Sequence, residues 1–319
     1  MEGITPSIIW CAMKTPVLFL IFNRPDTTEK VFAAIRNAQP AKLYLAADGP
    51  REGREDETER CRITREISTA IDWECELHTL FRDRNLGCRE AVSSAITWFF
   101  EQEEEGIILE DDCLPHPSFF DFCENMLDRY RNDERVMIVT GTNFLLGAGT
   151  CDYTYFYSKI ISIWGWAAWR RSWCKHKIDR RVFNADRIHT RFGNRVFSDH
   201  LVKMMRGAIR GNIDTWDIQW VYSIIENDGV CITPYFNQIK NIGYEGTHFS
   251  GTMSPLFDMT TRDINMDDIR HPTDSADVSK LDEVAILNMI KIYKLERGIV
   301  ELSINRLRKE FNKFARRIP

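Results

Sequence analysis

The chain has 319 residues, enough for one large domain or two ordinary ones. With 44% hydrophobic and 28% charged residues it reads as globular, and a net charge of −5 gives no basis for general nucleic-acid binding. The longest clean apolar run, Val17 to Phe22, is far too short for a bilayer, and Lys14, Thr15 and Pro16 break the stretch before it, unlike a secretory leader.

The elements alternate along the first half. Val17–Phe22 is a continuous apolar run, as in a strand buried on both faces. A helix follows, with Asp26 as its predicted cap, Glu29 three residues on, and Val31, Ile35 and Ala38 on one face. "KLYLAADG" predicts a second strand, and Ile63, Ile67 and Ile71 mark a second helix. "CELHTLF" predicts a third strand, and "REAVSSAITWFF" a third helix aligned on Val92, Ile96 and Phe99. "GIILEDD" predicts a fourth strand. Phe119, Cys123, Met126, Leu127 and Tyr130 line one side of the fourth helix, and "RVMIVTG" predicts a fifth strand. This alternation predicts a mainly parallel α/β sheet.

Ligands of such sheets bind beyond the carboxyl ends of the strands. Asn23-Arg24, Asp48-Gly49 and Glu110-Asp111-Asp112 all follow strands, which brings three polar clusters to one rim. Three adjacent carboxylates repel one another and are costly to bury unpaired, so solvent or a cation must compensate them. Residues 151–255 are richer in aromatics, as in "WGWAAW" and "TWDIQW", and the chain reads as helical again from about residue 280. From Arg297 onward seven basic residues stand against two acids, and Leu307, Phe311, Phe314 and Ile318 follow helical spacing. Nine cysteines, an odd number without CxxC spacing, predict reduced thiols and a cytoplasmic protein.

The segment "ILEDDCLPHPSFFDF", followed in order by "WGWAAW", "TWDIQW" and "NIGYEGTH", resembles the GT-A-fold nucleotide-diphospho-sugar glycosyltransferases. The closest likeness is to N-acetylglucosaminyltransferase-I-like enzymes and their bacterial relatives, and it covers roughly residues 15 to 250. The resemblance implies a GT-A fold with a mainly parallel central sheet flanked by helices. It implies one catalytic domain over 1–275, with a nucleotide-sugar half at 15–145 and an acceptor half at 146–275. A C-terminal helical, basic amphipathic tail at 276–319 would follow.

By the same resemblance Asp112 would bind a divalent metal, Mn²⁺ or Mg²⁺, and Glu110 and Asp111 would face the sugar and ribose of a UDP-sugar donor. Arg24 and Asp48 would contact the nucleotide, since a carboxylate accepts the uracil N3–H and a guanidinium suits a phosphate or base carbonyl. The stretch "RDRNLGCRE" would border the donor, with one of Arg82, Arg84 and Arg89 pointing inward; Arg89 is the choice made here. Asp217 would be the base for the acceptor hydroxyl, with Asp214 as second candidate. Trp216 and Trp220 are either apolar walls for that base or core residues. Ile218 stands where the family has a second adjacent acid. His248 would complete the metal site or close over the diphosphate.

The implied activity is metal-dependent, inverting sugar transfer from a UDP-sugar to a glycan or lipid-linked acceptor in polysaccharide assembly. A sugar nucleotidyltransferase and a non-catalytic sugar-nucleotide-binding protein are the competing readings. The loop "FNRPDTTEK" lacks the glycine-rich, basic character that a triphosphate cradle needs. The basic tail predicts either packing on the domain or a second subunit, or peripheral contact with the inner face of the cell membrane.

Overall fold

The computed structural model describes residues 13–149, 151–176, 183–243, 260–273 and 279–295. Five consecutive apolar residues form strand β1 (Val17–Ile21), every one buried. It lies between β2 (Lys42–Ala47) and β4 (Glu105–Glu110), parallel to both. Alternate side chains serve opposite faces. Val17, Phe19 and Ile21 join one core with Val31, Phe32 and Ile35 of helix α1 (Pro25–Ala38) and with Phe119, Cys123 and Met126 of α4 (Ser118–Tyr130). Leu18 and Leu20 join a second core with Ile96, Phe99 and Phe100 of α3 (Cys88–Gln102) and with Trp166 and Trp220. The chain is therefore a three-layer α/β sandwich, as its alternating pattern predicts.

The eight-stranded sheet runs β3-β2-β1-β4-β8-β6-β9-β7, with β3 at Glu76–Phe81, β6 at Val136–Thr140, β7 at Tyr155–Ser158, β8 at Trp166–Trp169 and β9 at Val230–Pro234. β8 is antiparallel to both β4 and β6, and β7 is antiparallel to β9; the other pairs are parallel. The large, mostly parallel sheet agrees with the predicted α/β class. The antiparallel insertion of "WAAW" between two parallel strands has no signal in the alternation. A second small sheet pairs β5 (Cys113–Pro115) with β10 (Ile239–Asn241).

Two helix readings need correction. α1 begins at Pro25, with Arg24 at the N-cap position and no side-chain cap, so Asp26 lies within the first turn. Proline fits there because its missing N–H is one that the helix leaves unbonded anyway. Helix α2 (Glu55–Thr69) buries Glu57, Cys61, Thr64 and Ser68 rather than an isoleucine stripe, and Ile71 lies beyond its end. The buried stripe includes a carboxylate because Glu57 finds strong donors, described below.

The aromatic half places Trp166 and Trp169 in the sheet and buries them, and Trp216 and Trp220 are buried too. Trp166 stacks within 6.0 Å of both Trp216 and Trp220. These four rings are core. Gly165, at φ +57°, turns the chain against Ile239 and Leu109, where a Cβ would collide with the Ile239 side chain.

Helices α5 (Arg170–Trp173), α6 (Ala185–Phe192), α7 (Arg195–Ile209) and α8 (Asp217–Glu226) cover the second face. Helix α9 (Ser279–Ile292) buries Leu281, Ala285, Ile286 and Met289 against Phe144, Phe156, Ile160 and Phe197. The described part of the expected tail is thus a packed helix. The basic stretch after it lies outside the described residues. No helix among the described residues is long and apolar enough to cross a membrane.

Candidate active site

Strand order reverses at β1: β2 and β3 lie on one side, β4 on the other. Beyond the carboxyl ends of two such strands the following loops part and leave a crevice. Arg24, three residues past β1, and Asp111 and Asp112, just past β4, meet there. Arg24 Nη1 lies 2.8 Å from Asp112 Oδ2 and 3.3 Å from Asp111 Oδ1. The Phe22 amide donates to Asp111 Oδ2 at 3.3 Å, so the two strand ends are tied directly. Burial works against the Arg24 charge, but Asp111, Asp112 and Glu110 outweigh it and hold the guanidinium protonated.

Glu110 ends β4 and pairs in register with Leu20. Its carboxylate has no hydrogen bond or ion pair among the described residues. Burial raises its pKa well above the ordinary value, with Asp112, Asp111 and Asp217 adding to the rise and Arg24 opposing it. Burial likewise raises Asp111, against the pull of Arg24. The crevice thus holds more acid than the one arginine neutralises.

Asp112 is covered from the far side of the sheet. Its carbonyl accepts the Ile242 amide at 2.8 Å, and Asn241 pairs with Cys113. Gly243 lies so close that a Cβ there would strike the Asp112 carboxylate. The first three residues of the expected "NIGYEGTH" segment therefore reach Asp112, and residues 244–248, His248 among them, lie outside the described residues.

Asp48, after β2, has an inward task. Its Oδ1 accepts the amides of Gly49 and Leu86, both at 2.9 Å, and its Oδ2 accepts Asn85 Nδ2 at 2.9 Å and the Gly87 amide at 3.1 Å. It folds the loop between β3 and α3, and these bonds occupy most of its lone-pair directions. Burial raises its pKa, and the Leu86, Gly49 and Gly87 amides oppose that rise. Of the three arginines in the loop, Arg82 reaches Ser94 Oγ at 3.3 Å and Arg84 is exposed. The Arg89 guanidinium is half-buried and has no partner among the described residues.

Asp217 opens α8 on the opposite wall. Its Oδ1 accepts the Thr215 hydroxyl and the Ile218 amide. Its charge reaches Glu110 and the half-buried Cys88 thiol, whose pKa burial pushes up to about 12 with Glu110, Asp217 and Asp214 contributing. Trp216 and Trp220 show it no exposed ring face, so they pack the core and offer no stacking platform.

Two residues escaped the sequence reading. Glu57 is buried on α2, where its oxygens take Asn23 Nδ2 at 3.0 Å and the Arg51 amide at 2.7 Å. It also forms an ion pair with the Arg51 guanidinium, which lies 5.9 Å from the centre of the Phe22 ring. A second cation is thereby held beside the crevice. Glu57 shares a helical face with Cys61, Thr64 and Ser68, and that spacing was the one available signal.

A divalent cation bound together with a diphosphate needs only one or two protein carboxylates, the rest of its shell coming from phosphate and water. No three His, Cys, Asp or Glu side chains among the described residues are arranged to enclose an ion by themselves. Asp112, with the unpaired Glu110 beside it, meets the smaller requirement.

No protein-family model and no curated protein matches this chain. Among solved structures it is similar to 4-diphosphocytidyl-2C-methyl-D-erythritol synthase from Anaerococcus prevotii DSM 20548, with 8% identity and a TM-score of 0.35 over 70% of this chain and 91% of that one. It is also similar to a UDP-glucose pyrophosphorylase complexed with UDP-glucose, with 8% identity and a TM-score of 0.37 over 72% of this chain and 92% of that one. At these scores the likeness carries no argument about chemistry.

Proposed function

We propose that this chain is a GT-A-type glycosyltransferase that moves a sugar from a UDP-sugar to an acceptor hydroxyl with inversion. One observation carries the reading: Arg24 and an acidic triplet meet at the switch point of the sheet, where Glu110 has no ion pair among the described residues and the charge of Asp217 on α8 reaches it. A crevice with more buried carboxyl groups than its arginine can neutralise suits a ligand that brings a cation with it. The competing nucleotidyltransferase reading has to place a triphosphate near the loop Phe22–Arg24, which has no glycine and leads into Pro25.

In this reading Arg24 binds the nucleotide or its phosphates, with Arg51 held nearby by Glu57. Asp48 acts on the donor through the loop it folds, and Arg89 lends that loop a charge. Asp111 faces the ribose and Glu110 the transferred sugar. Asp112 holds Mn²⁺ or Mg²⁺, which supplies positive charge to the diphosphate leaving group. Asp217 takes the proton from the acceptor hydroxyl as the hydroxyl oxygen attacks the anomeric carbon. Thr215 and the Ile218 amide hold Asp217 through Oδ1, so Oδ2 is the oxygen that does this.

The test is a substrate panel. The purified chain is incubated with UDP-sugars, with and without Mn²⁺, and separately with UTP plus sugar 1-phosphates. UDP release that depends on Mn²⁺ supports transfer. Pyrophosphate release from UTP assigns the chain to the nucleotidyltransferases instead, and tight UDP binding without either product leaves a binding protein.

A further inference from the structure

Asp214 is the other acid of the "DTWD" stretch. It lies between α7 and α8, 126 positions from the residue it holds most tightly. Its Oδ2 accepts the Cys88 amide at 2.8 Å and its Oδ1 the Arg89 amide at 3.2 Å. Those are the first two amides of α3, which no backbone carbonyl of the helix can satisfy. α3 has no side-chain cap from its own N-cap residue, because that residue is Gly87. Gly87 sits at φ +83° and ψ +162°, a region that is essentially glycine-only. A Cβ at Gly87 would also stand 2.6 Å from Asp214 Oδ2. The glycine gives up a local cap and makes room for a distant one.

The same turn is gripped from its other side by Asp48, through the Leu86 and Gly87 amides. Beyond Asp214 the chain runs through Thr215, whose hydroxyl donates to Asp217. The Cys88 thiol also meets the Trp216 backbone. Fixed contacts therefore lead from Asp48 through residues 86–89 to Asp214 and on to Asp217.

We propose that Asp214 is a positioning residue: by capping α3 from a distance it sets Asp217 at a fixed place relative to Glu110 and the donor-side loop. Both of its oxygens already accept backbone N–H groups, so its work needs an acceptor oxygen and not a charge that titrates. Its consequence for turnover rests on the reading of Asp217 as the base.

The two roles separate on one substitution. Asn keeps one acceptor oxygen, enough for the shorter bond to the Cys88 amide, but cannot act as a base, whereas Ala can do neither. Asp214→Asn, Asp214→Ala and Gly87→Ala in the full chain are compared by amide exchange over residues 85–92 and by transfer kinetics. Asp214→Ala should speed exchange at Cys88 and Arg89 at least about fivefold, the equivalent of one lost cap. It should lower kcat roughly a hundredfold, the cost of a base misplaced by about an ångström, while donor KM moves by no more than about threefold. Asp214→Asn should keep Cys88 protected, speed exchange at Arg89, and lose no more than about tenfold in kcat with an unchanged pH profile. Gly87→Ala should follow Asp214→Ala. Two results overturn the proposal: unchanged exchange in Asp214→Ala, or an Asp214→Asn variant as slow as Asp214→Ala with Cys88 still protected. If the unaltered chain transfers no sugar, the glycosyltransferase reading fails by itself. The clamp is then judged on exchange at Cys88 and on the thermal midpoint, in which Asp214→Asn must lie closer to the unaltered chain than Asp214→Ala does.

Discussion

Arg24 Nη1 and Asp112 Oδ2 stand 2.8 Å apart across the mouth of the crevice between β1 and β4. The ligand-free chain thereby neutralises part of its acidic triplet with its own arginine. A donor that brings phosphates and a cation offers new partners to both residues, so the pair marks where the site reorganises on binding. Arg24→Ala leaves Asp111 and Asp112 without their cation. Truncating one partner of a largely buried pair costs on the order of 1–3 kcal/mol, and a falling thermal midpoint measures it. The Arg24→Ala, Asp112→Asn double variant should recover part of that loss, and single-variant effects that add up to that of the double would show that the two residues do not couple.

Asp112→Asn keeps the shape of the side chain and removes its charge. Mn²⁺-dependent turnover should fall by about two orders of magnitude or more, as on losing a key electrostatic group. Gly243→Ala reaches the same carboxylate by steric means, since its Cβ would strike Asp112. It should weaken donor and Mn²⁺ binding while leaving Asp112 in place, which calorimetry with UDP and Mn²⁺ reads. Unaltered binding in both variants would remove Asp112 from the site.

Asp217→Asn should bind UDP and Mn²⁺ as the unaltered chain does and lose transfer rate, because the proposed base touches the acceptor and not the donor. Single-turnover rates with saturating donor make the comparison. Loss of donor affinity at full maximal rate would make Asp217 a binding residue.

Burial raises the pKa of Glu110, and takes Asp111 from its ordinary value to about 7. The folded ligand-free chain therefore binds more protons than the unfolded chain between the ordinary carboxylate range and about pH 7. Its stability contribution from these groups falls as pH rises through that window. Thermal midpoints should drop from about pH 5.5 to about pH 7.5 with a slope that Glu110→Gln reduces. Cation and nucleotide binding releases the same protons, so affinity for UDP with Mn²⁺ should tighten over the same interval. A pH-independent affinity would mean that the cluster is already ionised.

The sequence by itself determined the α/β class, because alternating apolar runs and helical stripes can bury their hydrophobic faces only in layers. It also determined that Arg24, Asp48 and the acidic triplet share one rim, since a residue that follows a parallel strand sits at its carboxyl end. What it could not determine is which polar groups are already spent on one another. Asp48 reads as a contact to the nucleotide, yet it is folded around the amides of residues 49, 86 and 87. Glu57 drew no reading from the sequence, yet it is buried and bonded to Asn23 and Arg51. Trp216 and Trp220 flank Asp217 in sequence, yet pack with Trp166 in the core. These outcomes depend on contacts such as Asn23 with Glu57, 34 positions apart, and Gly87 with Asp48, 39 positions apart. Hydrogen bonds are short and directional, so only the folded chain decides which distant donor meets which acceptor.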